Sequence, residues 1–304
     1  EERQISEPPT LLRDLSGELD VRQDARMTIA EHMTDRDVKL ERAKYLDADQ
    51  ARLWEQAFSA GNRAFRDAAM PEEERVRWKY QRYIKTYIAA VRGMDRQIGR
   101  LLDHLDRSGL ADNTLIVYTS DQGFFLGENG WVDKRWMDEV SSKVPLLMQW
   151  TGKIDPGSTT NGLVQNIDYA PTILDAAGVE AASPMHGVSL LPLVTGQTPN
   201  WERDLYYHFY ENPGFHGVAR HYGVRTERHK LVHYYLNDEW ELFDLEKDPL
   251  DQVNLYGKGG YESVERDLKQ RLAALRSHYQ VPDDDPPVPW YYGPLVRLLE
   301  WWFE

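Results

Sequence analysis

The stretch VYTSDQGFFLGENGWVDKRW, Val117 to Trp136, opens as an apolar strand and closes as a charged loop, with an acid and an amide at the join. Asp121 and Gln122 stand just past LIVY, Leu115 to Tyr118, an unbroken apolar run of the kind covered on both faces in a parallel sheet. Ligands of open α/β sheets gather outside the carboxyl ends of the strands, so side chains placed here can reach one. An Asp after a strand, taken alone, is a helix cap or a turn residue. The neighbours add more. Carboxylate plus amide oxygen is a hard oxygen pair, suited to calcium or magnesium rather than to zinc or copper. Gly123, Gly127 and Gly130 let the chain turn so that Lys134 and Arg135 return towards the same rim. A cation held by oxygens beside a lysine ammonium suits a doubly charged tetrahedral oxyanion.

Working outward, a second apolar run is VPLLM, Val144 to Met148. Asp168 to Ala177 reads as a helix with Asp168 as N-cap and Gly178 as stop. Upstream, Pro71 and the acids after it open a long helix with an apolar stripe (Tyr80, Ile84, Tyr87, Val91, Met94, Leu101) that ends at Gly109. Gln23 to Ala69 reads as a peripheral helix, polar with scattered apolar positions. Helices alternating with buried strands predict an α/β layer architecture.

The character changes near Trp201. Short strands are expected at Leu205 to Tyr210, Tyr222 to Thr226, Lys230 to Leu236 and Glu239 to Asp244, an antiparallel sheet with Tyr261 to Tyr279 as its covering helix. VPDDDPPVP, Val281 to Pro289, is a stiff linker. The aromatic tail over 290–304 carries one basic residue and is expected to dock on protein rather than on a membrane surface. The expected domains are therefore 1–200, 201–280 and 281–304. His229 and His233 share a strand face, but spacing supplies no third metal ligand.

Composition sets outer limits. The 304 residues are 41% apolar, enough for a core, and contain no run long and apolar enough to span a membrane. No cysteine is present, which excludes disulfides and thiol chemistry within this sequence. A formal net charge of −14 speaks against nucleic acid as partner, so an anionic substrate needs a local positive site.

TSDQGFFLGENGWVDKRWMDE, followed by VPLLMQWTGKIDPG and NIDYAPTILDAAG, resembles the later part of the catalytic domain of the sulfatases, in the alkaline-phosphatase-like superfamily. HYGVRTERHKLVHYY and WELFDLEKDPLDQVNLY are similar to the small C-terminal subdomain of the same family. The motifs occur in fixed order, and the resemblance covers roughly Tyr80 to Tyr256. The resemblance implies an alkaline-phosphatase-like sandwich, here a partial and mostly parallel sheet with flanking helices, plus the small antiparallel sheet under one helix. It implies that Asp121 and Gln122 are ligands of one calcium ion and that Asp121 also bonds the nucleophile. Lys134 would bind the sulfate oxygens and stabilise the leaving-group oxygen. The implied reaction is hydrolysis of a sulfate ester of a carbohydrate, with a hydrated formylglycine as nucleophile.

That nucleophile arises in the family from a Cys/Ser-x-Pro-x-Arg motif, which these residues lack. Ser59 to Arg63, SAGNR, has Gly in place of Pro and reads as coincidence. The expectation is a later portion of a longer sulfatase, inactive by itself. In the loop YENPGFHGVARH, the residues His216, Arg220 and His221 are expected to contact the sulfated sugar. MDEVS, Met137 to Ser141, replaces the more usual MYEES, and different packing of that helix is expected. The alternatives are a phosphate or phosphonate ester hydrolase of the same superfamily, against which Gln122 argues, and a non-catalytic glycan-binding relative. A glycan substrate implies a periplasmic or extracellular place; with no signal peptide in the sequence, the cytoplasm is the alternative.

Overall fold

A computed structural model describes residues 4–287 and 294, apart from 182, 199 and 213. The elements are α1 (Asp20–Gln23), α2 (Ala48–Asp67), α3 (Glu72–Arg107), β1 (Ile116–Thr119), β2 (Phe125–Leu126), β3 (Val132–Asp133), α4 (Glu139–Ser142), β4 (Leu146–Gln149), α5 (Tyr169–Ala177), α6 (Leu191–Val194), β5 (Leu205–Phe209), β6 (His221–Arg225), β7 (His229–Tyr234), β8 (Glu239–Asp244) and α7 (Glu262–His278). They pack as two compact units, Glu1–Leu101 with Phe124–Asp133, and Leu102–Gly123 with Lys134–Glu304.

The first unit corrects the peripheral helix expected over Gln23 to Ala69. Only α2 is helical there beyond the first residues, and the segment before it is a chain of turns whose apolar side chains are core: Met27, Ile29 and Val38 are buried. Met27 and Ile29 alternate, which is extended rather than helical spacing. The Ile29 N–H donates to Gly130 O at 2.8 Å and the Val132 N–H to Met27 O at 2.9 Å, so the segment runs against the β2–β3 hairpin. The core gathers Leu11, Ile29, Met33 and Leu40 against Val76, Tyr80 and Ile84, the first half of the α3 stripe. α2 begins where Asp47 caps it, accepting from Gln50 N at 2.8 Å while the Gln50 side chain accepts from Asp47 N. Ser59 to Arg63 lies inside α2.

In the second unit β5–β6–β7–β8 form an antiparallel sheet in sequence order, as the strand pattern predicts. Leu268 and Leu272 of α7 pack on Val224, Leu231 and Leu242, which gives this sheet its core. β1 and β4 differ from the sequence reading: they pair with each other antiparallel, Val117 opposite Met148. Their side chains are only partly covered, Leu147 being 64% exposed. α5 ends at Gly178 in the left-handed conformation, as expected. Asp168 is its N-cap residue, as expected, but makes no side-chain cap bond; its buried carboxylate instead accepts from Gln165 N (2.7 Å), Val188 N (3.0 Å) and Arg203 (2.7 Å). The tail 290–304, apart from residue 294, lies outside the described residues.

Candidate active site

Asp121 is exposed and Gln122 half-buried, immediately after the carboxyl end of β1. The strand end is pinned by Thr119 Oγ1 against Tyr169 OH at 2.8 Å, and the turn by Ser120 Oγ donating to Gln122 O at 2.9 Å. Gly123 follows for a reason of space. Its N–H donates to Ser141 O at 2.8 Å, and a Cβ there would lie 2.2 Å from Val140 O, so only glycine lets the two backbones approach. Gly127 and Gly130 do take positive φ, 108° and 69°, as a sharp return demands.

Lys134 is half-buried between two strained residues, Asp133 at φ 79° and Arg135 at φ 97°. Such non-glycine conformations persist where the surroundings over-determine them, and they cluster at functional sites. Arg135 is held at both ends: its Nε donates to Glu211 Oε2 at 3.3 Å, and its carbonyl accepts from Tyr207 OH at 2.8 Å. Burial, with Asp138 nearby, pushes the Tyr207 hydroxyl above its ordinary range, so it stays protonated and donates. Trp136 is fully buried, stacked on His221 at 5.7 Å and edge-on to Tyr234 at 5.8 Å. The segment 134–142 thus carries Lys134 at one end and, at Ser141, the bond that holds the Asp121–Gln122 turn.

The three residues expected on the sugar have different fates. His216 is half-buried at a turn beside Phe215, ring centroids 5.1 Å apart, in the loop whose Glu211 reaches Arg135. Arg220 is taken up in building that loop: it donates to Asn212 O at 2.6 and 3.0 Å and to Asp285 Oδ2 at 2.6 Å, where Tyr235 OH also donates at 2.7 Å. His221 is corrected. At 0% exposure, with its ring against Trp136, Tyr207 and Phe209, it packs the interior and cannot touch a sugar on the surface. Beside the loop, burial pushes the His208 imidazole down to about 4 against the opposing pull of Asp285. His208 Nδ1 lies 2.8 Å from Tyr206 OH. His233 stacks on Trp240 at 3.7 Å rather than pairing with His229 over a metal.

For a cation, Asp121 and Gln122 supply two oxygen-bearing side chains, and the chemistry of that pair fits a hard ion. Calcium takes about six to eight oxygens, so two side chains are part of a site. Among the described residues no group of three or more His, Cys, Asp or Glu stands ready to hold a metal. Sequence reasoning missed the residues behind the segment 134–142, a strap across the sheet: Lys230, Glu139 and Asp251. The signal was present, since Lys230 falls in phase with Val232 and Tyr234 on the inward side of β7.

The matching families follow this geometry. The chain matches the sulfatase family over residues 27–179 and the C-terminal family of N-sulphoglucosamine sulphohydrolase over residues 127–278. It is 40% identical over 300 residues to the N-acetylglucosamine-6-O-sulfatase of Bacteroides thetaiotaomicron, covering 92% of this chain and 53% of that protein. It is 41% identical over 115 residues to the human N-acetylglucosamine-6-sulfatase, 37% of this chain and 21% of that one. A solved structure described as a complex with its substrate D-glucosamine-2-N,6-O-disulfate superposes with a TM-score of 0.89 at 37% identity, over 93% of this chain and 62% of the other. The phosphonate monoester hydrolase of Agrobacterium radiobacter shares the fold at a TM-score of 0.60 and 25% identity, over 66% of this chain and 43% of the other. The chain spans about half the length of the first of these curated relatives, 53%. By these matches, in the order in which its motifs fall along the sequence, the chain belongs to the sulfatase family.

Proposed function

We propose that the chain is the oxyanion-holding part of an enzyme that hydrolyses sulfate esters of a glucosamine-type sugar. The observation that carries this reading is the strap 134–142, which bears Lys134 at one end and ties the Asp121–Gln122 turn at the other. Lys134 would place its ammonium on the sulfate oxygens and, as the S–O bond breaks, on the leaving oxygen. Asp121 and Gln122 would hold calcium, and Asp121 would accept a hydrogen bond from the nucleophile. Calcium, when bound, neutralises the sulfate and favours the ionised nucleophile. The formylglycine nucleophile would come from outside these 304 residues, since they contain no cysteine and Ser59 sits within a helix. His216, on the loop joined to Arg135 through Glu211, would contact the sugar; Arg220 would shape that loop. A glycan substrate favours a periplasmic or extracellular setting.

The relatives that act on N-acetylglucosamine sulfate support this sugar class. The phosphonate hydrolase neighbour supports a second reading, ester hydrolysis at phosphorus. The complete gene product carrying this chain separates the two. It should release sulfate from N-acetylglucosamine-6-sulfate, lose that activity on calcium chelation or with Asp121→Ala, and act at least about a hundredfold more slowly on matched phosphate and phosphonate esters. Faster turnover of the phosphorus esters would reverse the assignment.

A further inference from the structure

We propose that Lys230 and Asp251 are positioning residues whose buried pair locks the segment 134–142 and so keeps the Asp121–Gln122 turn in register with Lys134. The proposal rests on the reading of the strap as an oxyanion site. Lys230 is 1% exposed, yet it lies in a strand whose neighbours Leu231 and Val232 are apolar and buried. Its ammonium donates to Met137 O at 2.7 Å and to Asp251, and Glu139 Oε1 lies 3.7 Å away. Asp251 accepts in turn from Glu139 N at 3.0 Å, and Arg225 holds the Glu139 carboxylate at 3.1 Å. One ammonium and one carboxylate therefore grip the main chain at positions 137 and 139, either side of Asp138.

The pair is an expensive way to fill a core. Each buried ion carries a desolvation cost of several kcal/mol, and well-packed apolar residues of like volume often do as well or better for stability. Asp251 adds a left-handed backbone at φ 45° and a second carboxylate oxygen, Oδ1, buried with no hydrogen-bond partner. Stability alone does not account for such an arrangement, whereas fixing a backbone in place does. The surroundings agree. A Cβ on Gly223 of β6 would lie 2.4 Å from the Met137 sulfur, so the strap lies directly on the sheet. Beyond the grip, Ser141 O takes the Gly123 N–H at 2.8 Å. A slip of about 1 Å along this segment would shift Lys134 relative to the turn, a misplacement worth about a hundredfold in rate.

Lys230→Met alone would strand a buried carboxylate and threaten folding. The double variant Lys230→Met, Asp251→Asn leaves no unpaired charge in the pair, and asparagine tolerates the left-handed backbone. In the 304-residue chain, amide exchange at Gly123 and across 134–142 should accelerate at least about tenfold in this variant while β5–β8 keep their protection. Unchanged protection of the strap would overturn the proposal. In the complete gene product the variant should lose about a hundredfold on N-acetylglucosamine-6-sulfate but only a few-fold on 4-nitrophenyl sulfate, whose leaving group needs little help from Lys134. Equal loss on both would mean a merely structural role and would also overturn it. Lys230→Arg, which keeps the charge pair but not the reach of one ammonium to Met137 O, gives the same comparison should the double variant not fold. A wild-type protein that releases no sulfate would refute the sulfatase reading, while the exchange result would still decide the register.

Discussion

Gly123 shows how much one residue can decide. Its N–H bond to Ser141 and the 2.2 Å left to Val140 O mean that any side chain must push the strap away. Gly123→Ala should therefore cost about 1–3 kcal/mol, seen as a lower thermal midpoint, and should expose the 134–142 amides to exchange. A second residue sets a pH dependence. His208 has its pKa depressed from 6.5 to about 4 by burial, so the fold favours the neutral ring. The unfolded chain then binds more protons between those values, and this contribution to stability, complete above pH 6.5, is lost as pH falls towards 4. Thermal melts across that window should fall less steeply for His208→Phe than for wild type; parallel curves would contradict the assignment. At this scale the place of Asp121 and Gln122 was legible, because an apolar run marks the strand they follow. His221 was not, because a loop-like stretch of mixed residues has no period to show which ring turns inward. It proved to be the first residue of β6.

Among the elements, those with a clear period were read well: α3 to its end, the four strands of the C-terminal sheet, and α7. The segment before α2 failed because a polar composition with scattered apolar residues was given a helical period it does not have. Two local signs were available, the alternation of Met27 and Ile29, and the D-x-x-Q capping box at Asp47 and Gln50 that starts the true helix. Asp47→Ala should cost about 1 kcal/mol and increase amide exchange in the first turn of α2. No change there would show that the cap contributes nothing. The antiparallel pairing of β1 with β4 was hidden for another reason: a short apolar run records burial, not strand direction.

For the whole molecule, the family was legible because several motifs occur in fixed order over much of the chain. Coverage was not. Met94 and Leu101 on α3 and Leu147 in β4 are apolar and were expected to be covered, but they are exposed in this chain. Local sequence cannot tell which side chain finds a neighbour, since it records a residue's tendency to be covered and not what covers it. The buried grip on the strap is a property of this scale too, built from residues more than a hundred positions apart, Glu139 and Asp251. What joins these levels is the claim that Lys134, presented by the strap, acts on the sulfate ester. The most direct measurement is the rate of sulfate release from N-acetylglucosamine-6-sulfate by the complete gene product, wild type against Lys134→Ala, at equal folded concentration. The expected result is a fall of about 100- to 1000-fold in kcat; a variant that turns over within a few-fold of wild type would contradict it.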